Sequence, residues 1–359
     1  MFGPTPHAGA SLSDSPRVAV DALGGDHAPK VIVEGAVAAC REFDLRVQLV
    51  GPEATLREEL SRAGGDGLGI EVVDAPEAVG MGEKVTRATL KKNSSIKVAL
   101  EQVRDGRADA FFSAGNTAAC WAIAKIALGT LEEVERPALA AVFPTLRGRA
   151  LLLDVGANAD CKARQLEEFA VMGDVYSRAR FHVESPRVGL MSMGEEEGKG
   201  NELTREVHEV LKTSHLNFVG NIEGSGIFGG NVDVIVMDGF TGNAVLKSCE
   251  SLAESLMLLL KEEVSRTPLR RAGAWLARNA FRAIKRRVDY KEYGGAVLLG
   301  LDGCCVIGHG RSQPYAVMQG IRVAGEFFTS DVNSRIEAEL KDLVARKSDS
   351  VAVVKAETA

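Results

Sequence analysis

The sequence lacks the patterns that mark several familiar kinds of site. It has no Cys-x-x-Cys pair and no His-x-x-x-His or His-Glu-x-x-His array, so nothing in it indicates a metal centre. It has neither a Gly-x-x-x-x-Gly-Lys-Ser/Thr loop for nucleotide phosphates nor a Gly-x-Ser-x-Gly turn for a serine nucleophile. No apolar run reaches the ~18–20 residues that a transmembrane helix needs.

Composition and cysteine usage narrow the class of protein further. The chain has 359 residues, 45% hydrophobic and 26% charged, which allows a sizeable core in one large α/β domain or two lobes. Its net charge of −6 argues against general nucleic-acid binding. The cysteines stand in contexts typical of reduced core thiols and of a cytoplasmic protein: Cys40, Cys120, Cys161, Cys249, Cys304 and Cys305.

Strands and helices alternate along most of the chain. Apolar runs such as 150–155 and 232–237 are continuous rather than alternating, which is typical of parallel strands covered on both faces. We therefore predict a three-layer α/β/α sandwich with a mostly parallel sheet over residues 16–346. A disordered leader without a secretory signal is expected over 1–15, and a flexible tail over 347–359.

Six Gly/Asn/Asp-rich junctions follow apolar runs, and several precede a predicted helix. Strand, small polar turn and helix is how an open parallel sheet builds a site at its carboxyl edge. Glycine allows close backbone approach, and helix N-termini favour anions. The junctions thus predict an enzyme site for phosphate or another oxyanion, and they lie at residues 20–27, 113–117, 154–158, 194–201, 238–243 and 308–312.

Charged residues in these junctions are candidates for catalysis, each beside a structural alternative. Lys199 has glycines on both sides and is either a cation for an anionic ligand or a solvated charge. Asp154 and Asp238 end apolar runs and either take part in the chemistry or orient turn amides. Thr241 and Asn243 are N-cap candidates for a long helix predicted from 244.

Histidine and asparagine side chains supply further candidates. His27 and His309 are flanked by glycine-rich turns, although a lone histidine is more often structural. Asn116, Asn158 and Asn243 either orient substrate or cap turns.

Residues 224–229 match Gly-x-Gly-x-x-Gly, but the residues after them favour a different interpretation. A dinucleotide fingerprint must lie between a strand and a helix, whereas residues 232–237 predict another strand. We interpret the motif as a glycine-rich connection between strands.

Residues 266–288 predict a basic amphipathic helix. The segment carries eight basic residues and no acid, with apolar and basic side chains on opposite sides of a helical wheel. It either packs as an ordinary helix or contacts a membrane surface or an acidic partner. The residues expected to make that contact are Trp275, Leu276, Arg278, Arg282 and Lys285.

The ordered junctions together resemble the bacterial phosphate acyltransferase (PlsX) family over about 17–330. The resemblance rests on residues 21–29, 113–117, 153–158, 197–201, 221–224, 238–243 and 307–312. Three positions differ from the usual family residue: Ala118 from glycine, Gly226 from aspartate and Val297 from proline.

The resemblance implies an activity, a fold and partners. The activity is transfer of a fatty acyl group from acyl carrier protein to inorganic phosphate, giving acyl phosphate for phospholipid synthesis. The fold is related to phosphate acetyltransferases and isocitrate dehydrogenases. A homodimer and peripheral membrane association are also implied, and no metal or redox cofactor is required.

The site hypothesis assigns roles by chemistry. Lys199 and the Asn116–Thr117 turn hold phosphate, Asp238 orients the 241–243 turn, and Asn158, Asn201 or His309 donates to the oxyanion or leaving group. The remaining substrate-binding candidates are Asp21, Gly24, Gly25, His27, Ser113, Asp154, Asn221, Glu223, Thr241, Gly242, Asn243 and Ser312. The rival functions are a short-chain acyl-coenzyme A phosphate acyltransferase, a related dehydrogenase and a membrane-associated scaffold.

Overall fold

The computed structural model describes residues 15–288 and 293–357, without the side chains of 285–288 and 349–357. The chain forms two compact units. Unit 1 runs to Gly129 and includes Leu301–Asp331, whereas unit 2 comprises Thr130–Gly300 and the chain from Val332 onward. Composition allowed either one large domain or two lobes, and the chain divides into two compact units. The expected leader lies outside the described residues except for Ser15, which is buried and donates to Asp44 at 2.5 Å.

The secondary structure alternates as the sequence predicts. The strands are β1 Arg17–Asp21, β2 Arg46–Gly51, β3 Ile70–Asp74, β4 Ala110–Ser113, β5 Ala138–Thr145, β6 Gly148–Leu153, β7 Val188–Met191, β8 Phe218–Ile222, β9 Val234–Val236, β10 Ala296–Leu299 and β11 Cys304–Ile307. The helices are α1 Lys30–Glu42, α2 Glu53–Arg62, α3 Arg87–Lys91, α4 Ser95–Arg104, α5 Thr117–Leu128, α6 Ala163–Phe181, α7 Glu202–Lys212, α8 Gly239–Ser265, α9 Pro268–Leu276, α10 Arg278–Val288, α11 Pro314–Thr329 and α12 Val332–Glu357.

The sheet of unit 1 is parallel throughout. Its strands lie in the order β3-β2-β1-β4-β11, and the central strand β1 pairs with β2 and β4. Residues Val18, Ala19 and Val20 of β1 are fully buried, as expected for a strand covered on both faces. Helices α1 and α11 pack so closely that a Cβ on Gly35 would lie 2.5 Å from Val317. The junctions of unit 1 therefore follow strands that lie in a closely packed core.

The sheet of unit 2 mixes strand directions. Its order is β10-β5-β6-β9-β7-β8, with β5 antiparallel to both β6 and β10 and the other neighbours parallel. Strands β5 and β6 form a hairpin whose turn is Leu146 and Arg147. The predicted α/β sandwich with a mostly parallel sheet is confirmed, and the antiparallel strands are an addition to it.

The long helix α8 begins five residues earlier than predicted. Asp238 is its N-cap, accepting hydrogen bonds from the Thr241 amide and hydroxyl at 2.8 Å each. The N-cap prediction for Thr241 and Asn243 was therefore wrong, because the aspartate at the strand end caps the helix directly. Both residues lie in the first turn of α8.

The basic segment 266–288 forms two helices rather than the single helix predicted. Thr267 caps α9 ahead of Pro268, and Ala277 ends α9 before α10 begins at Arg278. The amide of Ala277 bonds back to the carbonyls of Gly273 and Trp275, which closes the first helix.

The structure also tests the predictions for residues 224–229 and for the C-terminal tail. The glycine motif forms a 3₁₀ turn, Gly224–Phe228, that leads into β9, so its interpretation as a strand connection is confirmed. Helix α12 extends to Glu357, so the expected tail is helical as far as that residue. No glycine or proline interrupts 347–357, and Lys347 pairs with Glu167 of α6.

No helix in the described part of the chain is both long and apolar enough to span a bilayer.

Candidate active site

The candidate residues fall in both units, and each set has its own geometry. In unit 1, Asp21 ends β1 and Ser113 ends β4, the neighbouring strand. Both side chains are buried, and Ser113 donates to Asp21 at 2.6 Å while accepting from the Gly115 amide at 2.9 Å. Burial raises the pKa of the Asp21 carboxyl. Because neither group reaches the surface, we assign both to positioning the turns rather than to touching substrate.

Gly24 shows how tightly these turns meet. A Cβ at Gly24 would lie 2.5 Å from the Asp21 carboxylate and 2.7 Å from the Gly115 amide nitrogen. Only a residue without a side chain allows the two turns this approach. Gly25 comes next with φ +105°, and His27 is exposed beyond it.

Asn116 has a structural role that the sequence allowed as one of two alternatives. Its Oδ1 accepts from the Ala119 amide at 3.1 Å and so caps α5. Its Nδ2 faces the carbonyl oxygens of Gly80, Met81 and Glu83 at 3.2, 3.1 and 2.9 Å. The side chain is thus engaged, whereas the neighbouring Thr117 is exposed at the first position of the helix.

The ring of His309 accepts a hydrogen bond from its own turn. The amide of Arg311 donates to its Nδ1 at 3.2 Å. A neutral ring that accepts at Nδ1 carries its proton on Nε2, so this contact favours the tautomer with an Nε2–H. Ser312, in the same turn, is buried and its amide donates to the His309 carbonyl at 2.9 Å.

In unit 2, Asp154 organises the turn after β6. Its fully buried carboxylate accepts five hydrogen bonds: from the amides of Leu139, Gly156, Ala157 and Asn158 and from the Asn158 side chain, at 2.6–3.0 Å. Burial raises the pKa of Asp154, and the hydrogen bonds oppose that rise. Every oxygen is satisfied, so Asp154 shapes the turn.

Asn158 belongs to the same turn. Its Nδ2 donates to Asp154 at 2.9 Å and to the Pro137 carbonyl at 2.8 Å, which engages both amide hydrogens. We therefore assign Asn158 to positioning and leave Asn201 and His309 as donors for the oxyanion.

The first turn of α8 lies against the Asp154 turn. Gly239 donates to the Asn158 carbonyl at 2.8 Å, and a Cβ on Gly242 would lie only 1.8 Å from the Asp154 carbonyl oxygen. This packing leaves Asn243 exposed and Thr241 half-buried.

Replacing Asp238 separates its capping role from the chemistry. We expect Asp238→Ala to lower the free energy of unfolding by about 0.5–2 kcal/mol, because two bonds to Thr241 are lost. Asp238→Asn keeps an acceptor oxygen and serves as the matched control. Urea unfolding and specific activity of both variants are the measurements. If Asp238→Ala unfolds like wild type, Asp238 is not the cap.

Lys199 lies on the loop between β7 and α7. Its side chain is exposed and makes no hydrogen bond or ion pair within the described residues. Asn201 caps α7 through Oδ1, which accepts from the Thr204 amide at 2.9 Å, while its Nδ2 has no partner within the described residues. The loop thus presents a cation and an amide donor together.

His208 and Asn221 form a buried pair next to this loop, and the sequence did not predict their contact. Asn221 donates to the Glu196 carbonyl at 2.9 Å, and its Oδ1 lies 3.0 Å from His208 Nδ1. The sequence predicted Asn221 to bind substrate, and its polar side chain within β8 was the only signal of a buried partner. Glu223, beyond β8, is exposed and accepts from Ser225 at 2.7 Å.

Cysteine chemistry is unfavourable near the Asp154 turn. Burial raises the pKa of Cys161 to about 11. At neutral pH the thiolate, which is the nucleophilic form, is then about one part in 10⁴. Cys161 is therefore a poor candidate for a covalent acyl intermediate.

Most described side chains of α9 and α10 are exposed. No residue of α9 is buried, and Trp275, Leu276 and Ile284 are 64, 74 and 57% exposed. Arg278 stacks on the Trp275 ring at 4.5 Å. Arg282 is exposed, and the side chain of Lys285 lies outside the described residues. Among the described side chains of this segment's apolar side, Leu269, Trp275, Leu276 and Ile284 are all more than half exposed.

Solved structures resemble the chain in fold. A phosphotransacetylase from Streptococcus pyogenes aligns over 89% of this chain and 95% of its own, with a TM-score of 0.60 and 16% identity. The EutD phosphotransacetylase from Staphylococcus aureus aligns over 88% and 97%, with a TM-score of 0.57 and 13% identity. At such identities the likeness confirms the expected fold alone.

Comparison of sequences identifies the family as well as the fold. The phosphate acyltransferase of Acidobacterium capsulatum is 50% identical over 90% of this chain and 96% of its own length. That of Geotalea daltonii is 47% identical over 96% and 99%. The family model described as fatty acid synthesis protein matches residues 16–335. The chain therefore belongs to this fatty acid synthesis protein family, together with the bacterial phosphate acyltransferases.

Proposed function

We propose that this phosphate acyltransferase transfers a long-chain fatty acyl group from acyl carrier protein to inorganic phosphate, giving acyl phosphate for phospholipid synthesis. Acyl transfer to phosphate follows from the family and from the name of its relatives. The carrier donor and the long chain are our extension. The phosphate assignment rests on Lys199, whose exposed ammonium has no partner among the described residues. Asn221 holds the loop that carries Lys199, because it donates to the Glu196 carbonyl.

The reaction needs positioning more than proton abstraction. Phosphate is already an anion at neutral pH, so one of its oxygens attacks the thioester carbonyl and the carbon–sulfur bond then breaks. The departing thiolate has a reference pKa near ~8.5 and needs only modest assistance. Lys199 binds phosphate by charge, and the Nδ2 of Asn201 or the Nε2–H of His309 donates to the oxyanion.

The donor is tested by comparing acyl thioesters under one set of conditions. Purified protein is given phosphate with palmitoyl-carrier protein, palmitoyl-coenzyme A or acetyl-coenzyme A. We expect the highest kcat/KM with the carrier thioester. A preference for acetyl-coenzyme A would instead establish the short-chain function, and no turnover with any donor would favour the scaffold.

Helices α9 and α10 support peripheral contact with the inner face of the membrane. Exposed Leu269, Trp275 and Leu276 lie beside arginines, and an anionic surface attracts such cations by about 1 kcal/mol each. The apolar side chains insert while the basic ones meet lipid headgroups.

A double variant tests the membrane contact. We expect Trp275→Ala with Leu276→Glu to abolish binding to vesicles of phosphatidylglycerol, because the inserted apolar surface is lost. Leu146→Glu with Met193→Ala removes equally exposed apolar side chains elsewhere and serves as the control, since both are 77% exposed. Vesicle co-sedimentation is the measurement, and wild-type binding by the first variant would contradict the contact.

We also propose a homodimer, and the exposed leucines of helix α8 are the observation that favours it. Leu252, Leu256 and Leu259 are spaced along one side of the helix and are 56–61% exposed. Exposed apolar stripes of this kind mark protein contacts. Light scattering of the purified chain distinguishes a dimer from a monomer.

A further inference from the structure

Unit 1 carries a group of cations that the proposed chemistry does not use. The group, named the basic patch, comprises four exposed residues: Lys84, Arg87, Lys91 and Arg311. Within the described part of the chain, none of these four side chains makes a hydrogen bond or ion pair. Arginines on α2, by contrast, are paired, Arg57 with Glu53 and Arg62 with Glu58.

The segment that bears three of these cations is held in place from inside. Asn116 fixes its beginning through three backbone carbonyls. Thr89 is buried and donates to the Lys84 carbonyl at 2.9 Å, and Thr86 and Thr89 cap α3 reciprocally. The cations are therefore presented by an ordered backbone, which lowers the entropy that a partner must overcome.

The turn that carries the fourth cation, Arg311, contacts the segment 80–93 at Met81. The Met81 methyl lies 2.5 Å from where a Cβ on Gly310 would be, so the two turns are in contact. Arg311 follows Gly310, and His309 precedes it. The basic patch thus adjoins the turn that carries the proposed oxyanion donor.

The charge of the segment 80–93 is one-sided. Residues 80–93 carry four bases and one acid, in a chain of net charge −6. The acid, Glu83, accepts from Lys92 at 2.9 Å, and that bond lowers the pKa of Glu83. The charges of Glu83 and Lys92 offset each other, and the segment contains no other acid to balance its remaining three cations.

We propose that the basic patch is the docking surface for an acidic protein, the acyl carrier protein of the proposed function. Acyl carrier proteins are strongly acidic, and complementary charge steers encounter and fixes orientation. Among the large apolar side chains of residues 80–93 only Met81 is exposed, so this surface lacks the apolar side chains that membrane insertion needs. The inference rests on the carrier being the donor, and it leaves α9 and α10 to the lipid surface.

Charge reversal tests the docking. We expect Lys84→Glu with Arg87→Glu to raise the KM for palmitoyl-carrier protein about tenfold or more, with kcat little changed. The defect should shrink at about 1 M salt, where charges are screened beyond ~3 Å. With palmitoyl-pantetheine, a donor without the carrier protein, the variant should match wild type. Fluorescence anisotropy of labelled holo-carrier protein, measured without turnover, should weaken in parallel.

The control and the contrary results are distinct. Arg57→Glu with Arg62→Glu makes the same change of charge on α2 and should leave the carrier KM unchanged. Equal KM and anisotropy in the patch and α2 variants would overturn the docking proposal. So would a defect confined to Arg278→Glu with Arg282→Glu, which would move docking to α9 and α10. If wild type uses palmitoyl-pantetheine and phosphate but never the carrier thioester, the donor assignment fails, and the docking proposal fails with it.

Discussion

Gly242→Ala is expected to lower the free energy of unfolding by about 3 kcal/mol or more. The added methyl would lie 1.8 Å from the Asp154 carbonyl oxygen and 3.0 Å from the Val155 Cα. Both are backbone atoms, so no side-chain rotation relieves the overlap, and α8 or the Asp154 turn must move. Domains are typically stable by only about 5–15 kcal/mol, so the loss is a large fraction of the total.

A second glycine supplies the control for this experiment. Gly273 lies inside α9 and a Cβ there would meet no atom within 4 Å. Gly273→Ala should leave stability unchanged or raise it by about 0.5–1 kcal/mol, because alanine favours helix. Urea unfolding measures both variants. A Gly242→Ala protein as stable as wild type would show that the turn and the helix do not pack against each other.

Lys199→Ala is expected to raise the KM for phosphate about tenfold or more. A charge-assisted contact to an anion contributes about 1.5–3 kcal/mol, and alanine removes it. Stability should change little, because the Lys199 ammonium has no partner within the described residues. Initial rates at varied phosphate and fixed acyl donor measure the effect.

Lys212→Ala is the matched control for Lys199. Its ammonium pairs with Glu197 of the same loop at 2.8 Å, so removing it changes the charge of the region equally without removing the proposed phosphate contact. Its phosphate KM should stay within about twofold of wild type. Equal phosphate kinetics in Lys199→Ala and wild type would remove Lys199 from the site.

The fold was predictable because its signals are local. The continuous apolar runs at 150–155 and 232–237 located β6 and β9 to within two residues at each end. Strand β10, Ala296–Leu299, was not predicted. Strand β5 was expected at residues 139–144, but its antiparallel direction was missed although a two-residue turn separates it from β6, which is typical of a hairpin.

The roles of the site residues were less predictable, because they depend on contacts between distant segments. A strand-end aspartate at position 154 or 238 is equally consistent with chemistry and with turn support. Only the structure shows five hydrogen bonds to Asp154 and a helix cap at Asp238. The glycine requirement at Gly242 likewise arises from a carbonyl 88 positions earlier.

The central claim is that phosphate attacks an acyl thioester carried by acyl carrier protein. Its most direct test is incubation of the protein with palmitoyl-carrier protein and phosphate labelled with ¹⁸O at all four oxygens, followed by mass spectrometry. We predict palmitoyl phosphate that retains all four labelled oxygens, because the bridging oxygen comes from phosphate. Unlabelled palmitate as the only product, or an unchanged carrier thioester, would contradict the claim.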